Sequence, residues 1–133
     1  PIRNIVNDGF VSCSLSVSGS STSQRAFIAT FTEVDGTALS NPRQLIHWWT
    51  STTQYGAASI PALSPLPTYT IASGSQVVAN TTGSINHAVT DSSGIFAVRL
   101  TTTADGGSTT VWFNTEVQGI IYSISTTMAN ITT

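Results

Sequence analysis

Apolar residues recur along this chain with a period of two. In Phe10-Val11-Ser12-Cys13-Ser14-Leu15-Ser16-Val17, the odd positions hold Val, Cys, Leu and Val, and three of the four even positions hold Ser. Successive side chains of an extended strand point to opposite faces, so this spacing predicts a strand with one buried and one wet side. The alternation returns at 95–103, with Phe96, Val98 and Leu100 on one side and Ala97, Arg99 and Thr101 on the other. Further strands are predicted over 26–34, 43–50, 69–72, 75–79, 86–90, 109–117 and 120–125. Asp35-Gly36, Ser73-Gly74, Asp91-Ser92-Ser93-Gly94, Asp105-Gly106-Gly107-Ser108 and Gly119 supply the turns between them. No segment carries the 3.6-residue period of an amphipathic helix. About seven to nine short strands, with turn signals every 8–12 residues, predict an all-β sandwich or barrel.

Composition sharpens this picture. The chain has 133 residues, the size of one domain, with 40% hydrophobic but only 8% charged residues. Ser and Thr supply the missing polarity at about three residues in ten. Abundant Val, Ile and Thr favour pleated sheet and argue against disorder. The sequence divides into an N-terminal arm (1–9), a sandwich domain (10–126) and a C-terminal tail (127–133).

Charge excludes some partners. The net charge is −2, and Arg3, Arg25, Arg43 and Arg99 are the only firm cations. Nucleic-acid binding relies on clustered Lys and Arg, so no nucleic-acid partner is expected. Apolar stretches are far shorter than the roughly 20 residues of a membrane span, so no membrane partner is expected either. Pro1 is expected to follow a removed initiator methionine, which implies cytoplasmic synthesis without a signal peptide. A single cysteine, Cys13, leaves no internal disulfide framework.

The residues offer little catalytic chemistry. His47 or His87, Asp91 and a serine could be assembled on paper into a triad, but abundant serine makes such combinations expected by chance. Two histidines 40 positions apart and one cysteine give no ligand spacing for zinc or calcium, and no cofactor is implied. Cys13 stands in the apolar phase of its strand and reads as an inert small hydrophobe.

Binding candidates are clearer. Trp48 and Trp49 are neighbours on one predicted strand, so one enters the core and the other points away. The outward ring is either covered by a loop of its own domain or offered to a partner. Two registers compete for the inward side: Ile46, Trp48 and Thr50, or Leu45, His47 and Trp49. The segment containing Ile60, Pro61, Leu63, Pro65, Leu66 and Pro67 is apolar but too proline-rich for a central strand. It either folds over the domain's own core or docks, with little entropy to lose, against a neighbour. The arm, with Ile2, Arg3 and Ile5, is a further candidate contact. Asn80 and Asn130 are formal glycosylation acceptors that matter only in a secreted eukaryotic protein.

The order of features carries a resemblance. Val34-Asp35-Gly36-Thr37-Ala38-Leu39 precedes the aromatic His47-Trp48-Trp49-Thr50-Ser51. A block follows from Val89-Thr90-Asp91-Ser92-Ser93-Gly94-Ile95-Phe96 to Thr101, and then Thr110-Val111-Trp112-Phe113 pairs with Gly119-Ile120-Ile121-Tyr122-Ser123-Ile124. Over residues 26–126 this resembles a small Ig-like module found in virion proteins of tailed bacteriophages: capsid decoration or cement proteins, head fibres and tail-associated proteins. The turn Thr90-Asp91-Ser92-Ser93-Gly94 is also similar to Ig-like repeats of bacterial adhesins. Where the phage modules often carry Leu-Ser-Asp after the aromatic strand, this chain has Thr50-Ser51-Thr52.

The resemblance implies an Ig-like two-sheet antiparallel β-sandwich and a non-enzymatic role. The leading expectation is a decoration protein on the capsid surface of the virion, with the major capsid protein, itself as a homo-oligomer, or both as partners. The alternative is a receptor- or carbohydrate-binding module of a tail fibre or bacterial surface protein, in which exposed Trp and Tyr stack on sugar rings.

Overall fold

Alternating Val, Ile, Thr and aromatic residues form strands because β-branched and ring side chains pack well on a pleated, half-buried surface. The computed structural model describes residues 11–18, 24–39, 44–59, 68–76, 85–101 and 110–127. Among them run nine strands: β1 (Val11–Ser18), β2 (Gln24–Glu33), β3 (Leu45–Ser51), β4 (Thr68–Ser73), β5 (Ser75–Gln76), β6 (Asn86–Val89), β7 (Ile95–Thr101), β8 (Thr110–Val117) and β9 (Ile120–Thr127). The strands at 43–50 and 75–79 were expected with slightly different limits; residues 43 and 77–79 lie outside the described set, as do 60–67 and Ile2, Arg3 and Ile5. No helix among the described residues is long and apolar enough to cross a membrane.

The strands make two antiparallel sheets, ordered β1-β2-β7-β4 and β5-β6-β3-β8-β9. The first reproduces the A-B-E-D order of an immunoglobulin-type sandwich, and β3-β8-β9 reproduces its C-F-G order. The chain is an Ig-like sandwich. One departure is local: β4 leads directly into β5 at Gly74, so the polypeptide crosses from one sheet to the other before β6 joins the edge of β3.

The core lies between the sheets. Phe27, Ala29 and Phe31 of β2 and Phe96, Val98 and Leu100 of β7 face Ile46 and Trp48 of β3 and Val111, Phe113 and Val117 of β8. Fully burying each large side chain stabilises the fold by roughly 1.5–3 kcal/mol. On β1, Val11 is buried while Cys13, Leu15 and Val17 are half-buried, and Ser14, Ser16 and Ser18 are exposed, as the alternation predicts. Cys13 therefore lines the sandwich margin rather than the deep core, and burial still pushes its thiol up to about 12. At that pKa it is protonated and unreactive near neutrality.

Candidate functional site

The inward register of β3 belongs to Ile46, Trp48 and Thr50, which leaves Leu45, His47 and Trp49 on the outer face of the five-stranded sheet. Trp48 is 0% exposed and donates its Nε1 proton to Gln76 Oε1 at 3.1 Å. Trp49 points outward yet is only 7% exposed. The loop after β3 folds over it, and Trp49 Nε1 donates to Gly56 O at 2.8 Å. Ser51 Oγ closes that loop by donating to Thr53 O at 2.6 Å. Of the two fates open to the outward ring, cover by its own domain is the one observed. Neither Trp48 nor Trp49 presents a free ring to a partner, because each indole N–H and most of each ring is used inside the domain.

Beneath this cover Asn114, directly opposite Trp49 on β8, is completely buried. Its Nδ2 donates to Ser51 Oγ at 2.9 Å and its Oδ1 accepts from Ser123 Oγ at 2.7 Å. A buried amide without such partners would be costly. These polar side chains stitch β3, β8 and β9 together on their outer side.

The neighbouring row carries the titratable groups. His87 of β6, His47 of β3 and Glu116 of β8 are successive cross-strand partners. His47 Nδ1 lies 2.7 Å from Glu116 Oε1, with both side chains about one-third exposed (38% and 33%). The His47 and His87 rings meet edge to face, with centroids 4.4 Å apart. Sequence spacing had separated these histidines by 40 positions, and strand pairing brings them into contact. Among the described residues no group of three or more His, Cys, Asp or Glu is placed to hold a metal together.

The paper triad does not assemble around Asp91. Asp91 Oδ1 accepts from Ser93 N at 2.8 Å and Ile95 N at 3.0 Å, so its carboxylate organises the turn before β7. Among the described residues, the histidine that meets a carboxylate is His47, and that acid is Glu116.

The two outer faces differ. The outer face of the four-stranded sheet carries mainly Ser, Thr and Ala (Ser14, Ser16, Thr30, Thr32, Thr70, Ala97), with Ile28 and Ile95 half-buried, Arg99 exposed, and Val34, 70% exposed, just past the end of β2. On the other sheet Leu45 (56% exposed), Ile121 (37%) and, by alternation from β6, Ile85 (53%) surround the His-His-Glu row. Trp112, the outward neighbour of Val111 and Phe113, is half-buried there, and Tyr55 is exposed at the tip of the loop covering Trp49. Trp112 was not singled out from the sequence, although its place between two inward residues was a usable signal. At the margin of this face a groove of about 310 Å³ opens between β1 and β9, walled by Cys13, Leu15, Tyr122 and Ile124 with Tyr55 at its rim.

The sequence matches no family model and no curated protein. Among solved structures, the chain is similar to the yeast GGA1 GAE domain in a crystal structure described as "GGA1_GAE domain-P21", with a TM-score of 0.30, 12% identity and 88% of each chain covered.

Proposed function

We infer that this chain is a non-enzymatic structural module that attaches to other protein through the outer face of its five-stranded sheet. On its resemblance to tailed-phage Ig-like modules, the role is that of a capsid decoration or cement protein, fixed on the virion surface to the major capsid protein and to copies of itself. The observation that supports a docking role is the gathering of exposed Leu45, Ile85 and Ile121 around the histidine row, whereas the opposite outer face is mostly Ser, Thr and Ala, with Ile28 and Ile95 half-buried and Arg99 exposed. Exposed apolar residues gathered on one face mark interaction surfaces, whereas scattered ones are ordinary. The segment 60–67 and the arm residues Ile2, Arg3 and Ile5 are proposed as accessory contacts outside the described residues.

The carbohydrate-binding alternative loses its leading residues, since Trp48 and Trp49 are enclosed; it would have to rely on Trp112 and Tyr55. Mass spectrometry of gradient-purified particles of the encoding phage tests the main reading. Recovery with tail-free heads at a stoichiometry tied to the capsid subunit supports it, and absence from the particles overturns it. A Leu45→Glu/Ile121→Glu variant with an unchanged far-ultraviolet spectrum should no longer attach; full attachment would remove this face from the proposal.

A further inference from the structure

The histidine row does more than contribute polar surface. Residues directly opposite on antiparallel strands bring their Cβ atoms within about 4.5–5.5 Å, close enough for two imidazoles to share one small ligand. His47 and His87 are such a pair, and their rings are in contact. Glu116 sets the chemistry of the first ring. An ionised carboxylate only accepts hydrogen bonds, so the 2.7 Å contact assigns the proton of neutral His47 to Nδ1 and leaves the lone pair on Nε2. A carboxylate behind an imidazole is the arrangement that orients metal-bound histidines and raises their basicity.

We propose that His47 and His87 form a two-histidine binding site for a late first-row divalent cation such as Zn²⁺, Ni²⁺ or Cu²⁺, with Glu116 as the positioning residue for His47. In a tetrahedral site with metal–nitrogen distances of about 2.0–2.1 Å, two ligand nitrogens lie about 3.4 Å apart. His87 is exposed, so turning its ring from edge-to-face contact into that geometry displaces no core residue. Strands β3, β6, β8 and β9 carry no Lys or Arg that would repel a cation. Imidazole ligands favour Zn²⁺, Ni²⁺ and Cu²⁺, whereas Ca²⁺ and Mg²⁺ need oxygen ligands that the pair lacks. The described residues add no third His, Cys, Asp or Glu to form a larger cluster, so water fills the remaining positions of the two-histidine site.

Isothermal titration of the full chain, free of any purification tag, with ZnCl₂, NiCl₂ and CuCl₂ at pH 7.5 tests the site. One cation should bind per chain, Cu²⁺ more tightly than Ni²⁺ or Zn²⁺, while MgCl₂ and CaCl₂ give no heat. His47→Gln and His87→Gln should each abolish this binding without altering the far-ultraviolet spectrum. Glu116→Gln should keep the 1:1 stoichiometry and weaken affinity 10- to 100-fold. Imidazole nitrogen resonances of His47 and His87 should shift together on addition of Zn²⁺. Unchanged binding by the His47→Gln/His87→Gln double variant, or no binding by the parent chain, overturns the proposal. Neither result bears on capsid attachment, which is read separately with the Leu45→Glu/Ile121→Glu variant.

Discussion

The rings of Phe27 and Phe113 stack across the sandwich, with centroids 5.2 Å apart and planes only 9° from parallel. They join β2 to β8, the strands that antibody domains link by a disulfide, and Trp48 of β3 packs against Phe113 at 6.1 Å, in the place of the tryptophan that covers that bridge. An aromatic stack here does the cross-linking without a cysteine pair. Phe27→Ala or Phe113→Ala should cost about 3–5 kcal/mol. A double-mutant cycle with Leu at both positions should return a coupling of about 0.5–1.5 kcal/mol from urea unfolding. A coupling of zero would make the two rings independent space-fillers.

The turn Asp91-Ser92-Ser93-Gly94 is tied to β2 at one point. Phe31 N donates to Gly94 O at 2.9 Å, and Gly94 has a φ of 77°. A Cβ there would sit 2.8 Å from the Phe31 carbonyl oxygen, a backbone atom held in a strand. Gly119 has a similar φ of 80°, but nothing lies within 4 Å of the Cβ position. Left-handed backbone alone costs a non-glycine residue about 1–2 kcal/mol. Gly119→Ala should therefore lose about that much stability, and Gly94→Ala distinctly more. Equal losses in thermal or urea unfolding would show that the approach to Phe31 does not matter.

These elements differ in how far they could be read from residues alone. The alternation on β1 and β7 states its own register, because one phase is Ser or polar and the other apolar. On β3 both phases are apolar or aromatic, and two outcomes fit until the loop over Trp49 and the bond from Trp48 to Gln76 choose between them. The His47–His87 contact depends on the pairing of β3 with β6, which spans a crossover through the opposite sheet. Local spacing carries no information about such a pairing.

The cover over Trp49 makes a separate claim. Its Nε1 is the donor to Gly56 O, and Asn114 is buried beneath the same loop. Trp49→Phe keeps most of the ring but removes the donor, and should destabilise the domain by about 1–3 kcal/mol by stranding a carbonyl. Hydrogen exchange at the amide of Gly56, which donates to Thr53 O, should quicken in this variant while β2 and β7 keep their protection. Unchanged exchange across residues 52–56 would mean that the indole N–H does not hold the loop.

Alkaline stability follows from two buried acids. Burial pushes the Cys13 thiol from 9.0 to about 12. Burial likewise pushes the Tyr69 phenol from 10.0 to about 12. Thr50 Oγ1 donates to Ser59 O, so the Tyr69 hydroxyl is the donor in its 2.7 Å contact with Thr50, a bond that fixes the protonated phenol in place. Above pH 9 the unfolded chain gives up these protons while the folded chain keeps them, so the native state binds more protons and stability falls as pH rises. Their contribution is complete below about pH 9 and is lost between about 9 and 12. Urea midpoints should decline through that window; Cys13→Ala should flatten the lower part of the decline and Tyr69→Phe the upper part. An ultraviolet titration of the folded protein should show one tyrosine ionising near pH 12. If Tyr69→Phe leaves both the titration and the alkaline limb unchanged, the buried phenol is not the group that sets them.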